Sequence, residues 1–340
     1  MICMWKEWWP GGCSSPSAVR IVSCSQWLRI AVFAFAAVGI AFGQGLLDQP
    51  HIPSVVKPHS STHPTLRADA NLVLVPVTVL DSKDRIVNGL RVEDFSILDN
   101  RLPQTIKYFS QEDAPISMTV ILDSSGSMAT KIEEERTAAL ELLKDANPED
   151  EFSLIVFGNE PRVAVPFSEP ADDVSKVVNS TQPGGYTSLW DAMYLALQQQ
   201  KHSRYARKAI VVISDGGDNH SRYTEDEIKS VLQEADVQVY AIALSGRFVK
   251  TQEERLGPLR LDEVTSVTGG RAIRIHDAAE GTRAARDISS ELRNKYVIGY
   301  YPTTHAPDGR WRTIHVRLTG LPSRHKLHLH ARSGYYGPIG

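Results

Sequence analysis

Five oxygen-bearing residues stand out by type and spacing. Asp123, Ser125 and Ser127 alternate directly after the apolar run Val120-Ile121-Leu122. Thr187 lies in GGYTSLWDA, residues 184–192, just ahead of a helical pattern, and Asp215 ends the apolar run of IVVISDGGDN, residues 210–219. Carboxylates and hydroxyls are hard ligands, and a small hard dication prefers them. One tight turn can aim three alternating side chains at a single point, and Gly126 is expected to let that backbone bend. Singly, each feature has a plainer reading. Serines after a strand cap helices or close turns, and Asp215-Gly216 is a common turn pair. The five together, in order, point to a metal.

Other residues carry less. Asp191 and Asp218 lie near the set, where capping and solvation explain them as well as a supporting role does. His328 and His330 in HKLHLH fall on one face of a strand, but no Cys or carboxylate nearby completes a zinc set, and Leu327 and Leu329 fall on the other face. Trp190 and Trp311 are expected to pack. The chain has no Gly-x-Ser-x-Gly elbow, His-Glu-x-x-His or P-loop lysine motif. A nucleophilic Ser125 or Ser127 needs a base, and His220 is the one candidate. No enzyme is expected.

The elements that must position these residues follow from periodicity. SMTVILD, EFSLIVFG, KAIVVISDG and VQVYAIALS are nearly continuous apolar runs, as in strands covered on both faces. Between them KIEEERTAALELLKD, SLWDAMYLALQQQ and TEDEIKSVLQEA have helical spacing, the last with Thr224 as N-cap and Glu227 three residues on. A short helix over LDEVTSVTGG, a strand over RAIRIH and a helix over TRAARDISSELRNK follow. Alternating strands and helices imply an α/β fold, with a mostly parallel central sheet and helices on both faces. Ligands of such sheets gather outside the carboxyl ends of the strands, where Asp123 and Asp215 fall. The flanks differ. Residues 70–115 offer about three strands and residues 296–340 three more, and a small sheet with an exposed apolar face is marginal alone. Both flanks together are expected to form one β-sandwich, with the α/β domain, residues 116–295, inserted between them.

Asp-x-Ser-x-Ser after the first strand, Thr187 in a Gly-x-Thr loop and Ser214-Asp215-Gly216 together resemble the metal-ion-dependent adhesion site of the von Willebrand factor type A domain. The flanks, DFSILDNRLPQTIKYF before and YVIGYYP, RWRTIHVRL and ARSGYY after, are similar to exported bacterial proteins with a von Willebrand factor A-related domain. The resemblance implies Mg2+ (or Mn2+), with hydroxyls from Ser125, Ser127 and Thr187 and with Asp123 and Asp215 holding the ion directly or through water. It also implies an open position filled by a Glu or Asp carboxylate of a protein partner.

Bulk properties agree with an exported binding protein. The 340 residues carry a formal charge of −3, and no basic patch interleaved with aromatics marks a nucleic-acid binder. Arg20 and Arg29 precede the apolar IAVFAFAAVGIAF, residues 30–42, and small residues follow. This is the pattern of a secretory signal over 1–43, with an uncleaved anchor as the rival, and the stretch is shorter than the roughly 20 residues a span needs. Cys3, Cys13 and Cys24 all precede it. Residues 44–69, with Pro50, Pro53, Pro58 and Pro64, read as a flexible linker. The expected function is a secreted or envelope-located, metal-dependent adhesion module. The alternatives are an envelope scaffold with a purely structural metal and a metal-assisted hydrolase.

Overall fold

The computed structural model describes residues 72–338, apart from residues 112, 145, 168–170, 247–251, 305–307 and 320–325. The expected signal (1–43) and linker (44–69) lie outside the described residues.

The chain opens with β1 (Val73–Leu80), β2 (Phe95–Asp99), β3 (Leu102–Gln104) and β4 (Ile106–Ser110). Next come β5 (Ile116–Asp123), α1 (Ile132–Lys144), β6 (Glu151–Phe157), β7 (Arg162–Val165), α2 (Ala171–Ser180), α3 (Leu189–Gln199) and β8 (Arg207–Ser214). The series continues with α4 (Glu225–Glu234), β9 (Gln238–Leu244), α5 (Gln252–Val267), β10 (Ala272–Ile275) and α6 (Ala278–Arg293). It closes on β11 (Tyr296–Tyr300), β12 (Trp311–Leu318), β13 (His328–Ala331) and β14 (Gly334–Tyr336).

The apolar runs build the central sheet, in the order β10-β9-β8-β5-β6-β7, parallel throughout except for the β6–β7 pair. Every residue of β5 is buried because both faces are covered. Met118, Val120 and Leu122 join Ala138 and Leu142 of α1, Val174 and Val178 of α2, and Ile288 and Leu292 of α6 in one apolar layer. Ile121 and Ile155 pack in the other layer with Leu189 and Met193 of α3, Ile228 of α4 and Leu261 of α5. Each large apolar side chain so removed from water contributes about 1.5–3 kcal/mol. β6 lies on one side of β5 and β8 on the other. The chain therefore reverses its direction across the sheet at β5, and the carboxyl ends of β5 and β8 flank the crevice where such sheets place ligands.

The strands outside this body pair in two antiparallel four-stranded sheets, β13-β1-β11-β4 and β14-β12-β2-β3. Each sheet mixes strands from before and after the α/β segment. Val75, Val77, Tyr296 and Ile298 of the first sheet share an apolar cluster with Phe95, Ile97 and Ile314 of the second. Phe95 and Tyr296 meet at 5.2 Å between ring centres. A buried carboxylate, Asp99, accepts hydrogen bonds from Tyr300 Oη (3.0 Å) and Tyr335 Oη (2.8 Å). His328 is exposed and Leu329 packs on the shared cluster, but His330, expected on the solvent face with His328, is half-buried beside the buried Thr78 of β1.

Two helices depart from the sequence expectation. α2 falls where the sequence reading assigns no element, although Val174, Val177 and Val178 recur at the i, i+3, i+4 spacing of an amphipathic helix; their β-branching lowers helix propensity but not the periodicity. Asp172 and Asp173 in its first turn favour the helix dipole. The short helix expected over 261–270 begins instead at Gln252 and runs through Pro258. Gly257-Pro258 reads as a breaker locally, and tertiary packing overrides it. The capping box at Thr224 is present: Thr224 Oγ1 accepts from Glu227 N at 3.3 Å, and Glu227 Oε2 accepts from Thr224 N at 2.8 Å. Trp190 is buried, and Trp311 packs edge-on against Tyr336 at 5.0 Å.

Because each antiparallel sheet needs strands from both flanks, residues 67–115 joined to 296–340 by a short Gly/Ser linker are expected to fold without the α/β segment. Circular dichroism and a cooperative thermal transition test this. Joined flanks that stay unfolded while residues 67–115 fold alone contradict a shared sandwich.

Candidate metal centre

β5 delivers Asp123 to the crevice with no exposed surface. Its backbone N–H donates to Glu135 Oε1 at 2.6 Å, and one of its carboxylate oxygens accepts from Ser214 Oγ at 2.6 Å. The other accepts from Ser125 N at 3.0 Å, and Ser125 Oγ lies 3.1 Å from Ser127 Oγ. Asp123, Ser125 and Ser127 are thus one hydrogen-bonded group. A 3-10 turn, Gly126–Thr130, follows, and its Met128 is fully buried under the loop. Gly126 corrects the expectation of a flexible bend. It has no positive φ; its N–H donates to Gly185 O at 3.0 Å, and a Cβ would sit 3.3 Å from that oxygen. Its small size serves the approach of two loops.

That approach brings in Thr187. Gly184 N donates to Ser124 O at 2.7 Å, so the Thr187 loop lies along the serine loop. Thr187 N donates to Asn219 Oδ1 at 3.0 Å, and the N–H groups of Asn219 and His220 both donate to Thr187 O at 3.0 Å. Thr187 joins the group through its loop rather than by a hydrogen bond to the other four residues. Asp218 and Asp191 stitch the same region: Asp218 Oδ2 accepts from Trp190 N and Asp191 Oδ1 from Arg222 N. Beside Thr187, Tyr186 is 60% exposed and stacks on His220 at 5.0 Å.

Asp215 comes from the end of β8. Its Oδ1 accepts from Gly217 N at 3.1 Å, and its Oδ2 holds Lys131 Nζ at 2.8 Å. The backbone here is fixed by contact with α5. Gly216 has φ 79°, and a Cβ on it would meet Gly257 O at 2.4 Å; a Cβ on Gly257 would meet Asp215 O at 2.0 Å. A side chain at either position forces the Asp215 loop and α5 apart.

Lys131, Glu135, Asn219 and Gly257 escape sequence reasoning, and Ser214 enters it only as part of the Ser214-Asp215-Gly216 motif. The first two had one signal. Lys131, Glu135, Ala138 and Leu142 recur at intervals of four, three and four, so both charges lie on the stripe that faces the core.

The electrostatics define what this group can hold. Asp123, Glu135 and Asp215 are buried carboxylates, and Lys131 is the buried ammonium among them. Fully ionised, three negative charges and one positive leave two negative. Burial, then the neighbouring Asp215, pushes the Asp123 carboxyl up to about 6. Burial, then Asp123, pushes Glu135 well above the usual carboxylate range, and its Oε2 has no hydrogen-bond partner. Among the described residues no three His, Cys, Asp or Glu side chains form a metal-binding group by themselves. A metal here depends on hydroxyls, and hydroxyls add ligands without charge. The oxygen-only donors and the excess of carboxylates over ammonium fit a hard dication, which would draw the protons off the raised carboxyls.

Residues 118–217 match the sequence profile of the von Willebrand factor type A domain. The human inter-alpha-trypsin inhibitor heavy chain H4 is 27% identical over 261 residues, 70% of this chain and 27% of the relative. An uncharacterized protein of Borreliella burgdorferi is 24% identical over 202 residues, 52% of this chain and 59% of that one. The chain thus spans about a quarter and about three fifths of these relatives' lengths. Among solved structures, a von Willebrand factor type A protein from Catenulispora acidiphila aligns at 11% identity with a TM-score of 0.46, covering 73% of this chain and 74% of that one. The chain carries a von Willebrand factor type A domain. Such domains are commonly protein-binding modules and generally not enzymes.

The raised carboxyl gives a pH prediction. The folded value of Asp123, about 6, exceeds its ordinary 3.8, so its contribution to stability is full below about pH 4 and is lost as pH rises through about 6. In chelator, that loss is on the order of 3 kcal/mol between about pH 4 and pH 7. Denaturant unfolding of the protein and of Asp123→Asn across this range measures it; the wild-type profile is expected to lose stability relative to the variant as pH rises. Parallel profiles contradict the assignment.

Proposed function

We propose that this chain is an exported protein-binding module of the adhesion type. Asp123, Ser125, Ser127, Thr187 and Asp215 hold Mg2+ (or Mn2+), and the ion takes a Glu or Asp carboxylate of a partner protein. The observation that carries this reading is the make-up of the buried group: oxygen donors from three loops, with three carboxylates gathered around one ammonium, at the carboxyl ends of β5 and β8. Bound there, the ion supplies Lewis acidity toward a carboxylate. The chain's own residues do the rest. Ser214 and the Ser125 N–H orient the Asp123 carboxylate, Lys131 steadies Asp215, and the Asn219 contacts hold Thr187 in place. Exposed Tyr186 on His220 adds an aromatic rim of the kind enriched at protein interfaces.

Export is part of the same proposal. It rests on the apolar stretch of residues 30–42 with its flanking arginines and small residues, and among the described residues no helix is long and apolar enough to cross a membrane.

The test is capture of partners from envelope extracts on immobilised protein with Mg2+, with EDTA, and with Asp123→Ala. Partners held in Mg2+ are expected to be lost in EDTA and on the variant, with Mg2+ affinity in calorimetry falling by about a hundredfold or more. Capture unchanged by EDTA and by Asp123→Ala rules the reading out. Mass spectrometry of the protein recovered from native envelopes checks export: peptides from residues 1–43 are expected to be missing, and a chain still carrying Met1 and Cys13 contradicts cleavage.

A further inference from the structure

At the opposite end of the central sheet, where the α/β body meets the antiparallel sheets, lies a cavity of about 170 Å3. Its walls are mostly apolar: Leu74 and Pro76 of β1, Leu232 at the end of α4, Val237, Val267 and Leu292. Its most deeply buried charged and amide lining is Lys295, 4% exposed, and Gln238, 8% exposed. We propose that this cavity binds a small monocarboxylate with an apolar body, the carboxylate received by Lys295 and Gln238.

Three observations meet here. First, among the described residues Lys295 makes no ion pair with a carboxylate, although Glu291, whose Oε2 is without a hydrogen-bond partner, acts on it. Its Nζ donates to Gln238 Oε1 and lies 5.2 Å from the centre of the Tyr240 ring. Glu291, the carboxylate that acts on it, is already bound by Arg271 Nε at 2.8 Å. Second, Gln238 Nε2 is buried without a hydrogen-bond partner, a costly state that a ligand oxygen relieves. Third, the remaining charged lining is three cations, Arg207, Lys208 and Arg332, and one anion, Asp236; Asp113 and Asp150 act on Arg207 and Asp236 pairs with Arg332, so the lining is cationic only in part.

The shape of the ligand follows. One ammonium and one amide donor suit the two oxygens of a carboxylate, whereas a polyanion would bury charge without partners. A cavity of about 150 Å3 lined by aliphatic side chains admits benzene, so about six carbons fit beside the carboxylate. Burial, then Arg207, pushes the Lys295 ammonium down to about 7. The groups facing it are Gln238 and Tyr240 of β9, Arg207 of β8 and Glu291 of α6. An anion restores the proton, so binding is stronger at about pH 6 than at about pH 9.

The probes are hexanoate and benzoate, with hexanol and hexylamine as controls, on the full chain in EDTA. Chelation removes any carboxylate binding at a metal and makes failure of this proposal distinguishable from failure of the proposed function. Calorimetry or chemical-shift titration is expected to show saturable one-site binding of the two carboxylates, weakened about tenfold or more in Lys295→Met and when hexanol replaces hexanoate. Ala206→Trp places a large ring among the cavity's lining from an exposed position and is expected to abolish binding without unfolding the protein. No saturable carboxylate binding by the folded wild-type chain, equal binding of hexanol, or undiminished binding by folded Ala206→Trp each overturns the proposal.

Discussion

The structure depends on a group of buried charges that the protein does not neutralise by itself. Asp123, Glu135 and Asp215 are out of water, and Lys131 is the ammonium set among them. Buried carboxylates persist when they are paired or hydrogen-bonded, and this group is only partly so. Ser214, the Ser125 N–H and the Asp123 N–H each meet one carboxylate oxygen, while Glu135 Oε2 meets nothing. The raised carboxyls of Asp123 and Glu135 express the same imbalance. A dication at the loop hydroxyls would correct it, and neutral serine and threonine ligands leave such an ion acidic toward a further carboxylate.

Everything around the group serves to hold it in place. The parallel strands β5 and β8 are hydrogen-bonded neighbours, so their ends deliver Asp123 and Asp215 side by side. Backbone contacts between loops do the finer work: Gly126 against Gly185, Gly184 against Ser124, and Gly216 against Gly257 of α5. At Gly126, Gly216 and Gly257 a side chain is missing where two main chains meet. Helices on both faces keep water from the strands beneath, and this low-polarity setting makes the unbalanced charge consequential.

The parts of this arrangement that follow from local pattern were legible in the sequence. Apolar runs gave the central strands, Thr224 and Glu227 gave a helix start, and alternating oxygen-bearing residues after β5 marked the loop. What was not legible depends on contacts between distant segments. Gly257-Pro258 reads as a break until α5 is seen packed on the Asp215 loop. The valine stripe of α2, by contrast, has helical spacing and was legible, although the sequence reading assigns it no helix; Val174 and Val178 are buried against α1 and the sheet. Glu135 reads as one acid in a Glu133-Glu134-Glu135 helix start, where acids suit the dipole. Only its register with Ala138 and Leu142 sets it apart. Lys295 likewise follows a helix end as an ordinary lysine, and its burial comes from β9 and the sheet that begins at the next residue.

The buried group holds three carboxylates against one buried ammonium, that of Lys131. The most direct measurement of this is Mg2+ titration calorimetry of Lys131→Met beside the wild type, with denaturant unfolding of both in chelator. Removing the ammonium leaves a larger deficit. The variant is therefore predicted to bind Mg2+ about tenfold or more tightly. In chelator it is predicted to be less stable by about 3–5 kcal/mol, the cost of breaking a buried pair. A variant that binds Mg2+ no more tightly than the wild type and unfolds at the same denaturant concentration in chelator would contradict the charge deficit.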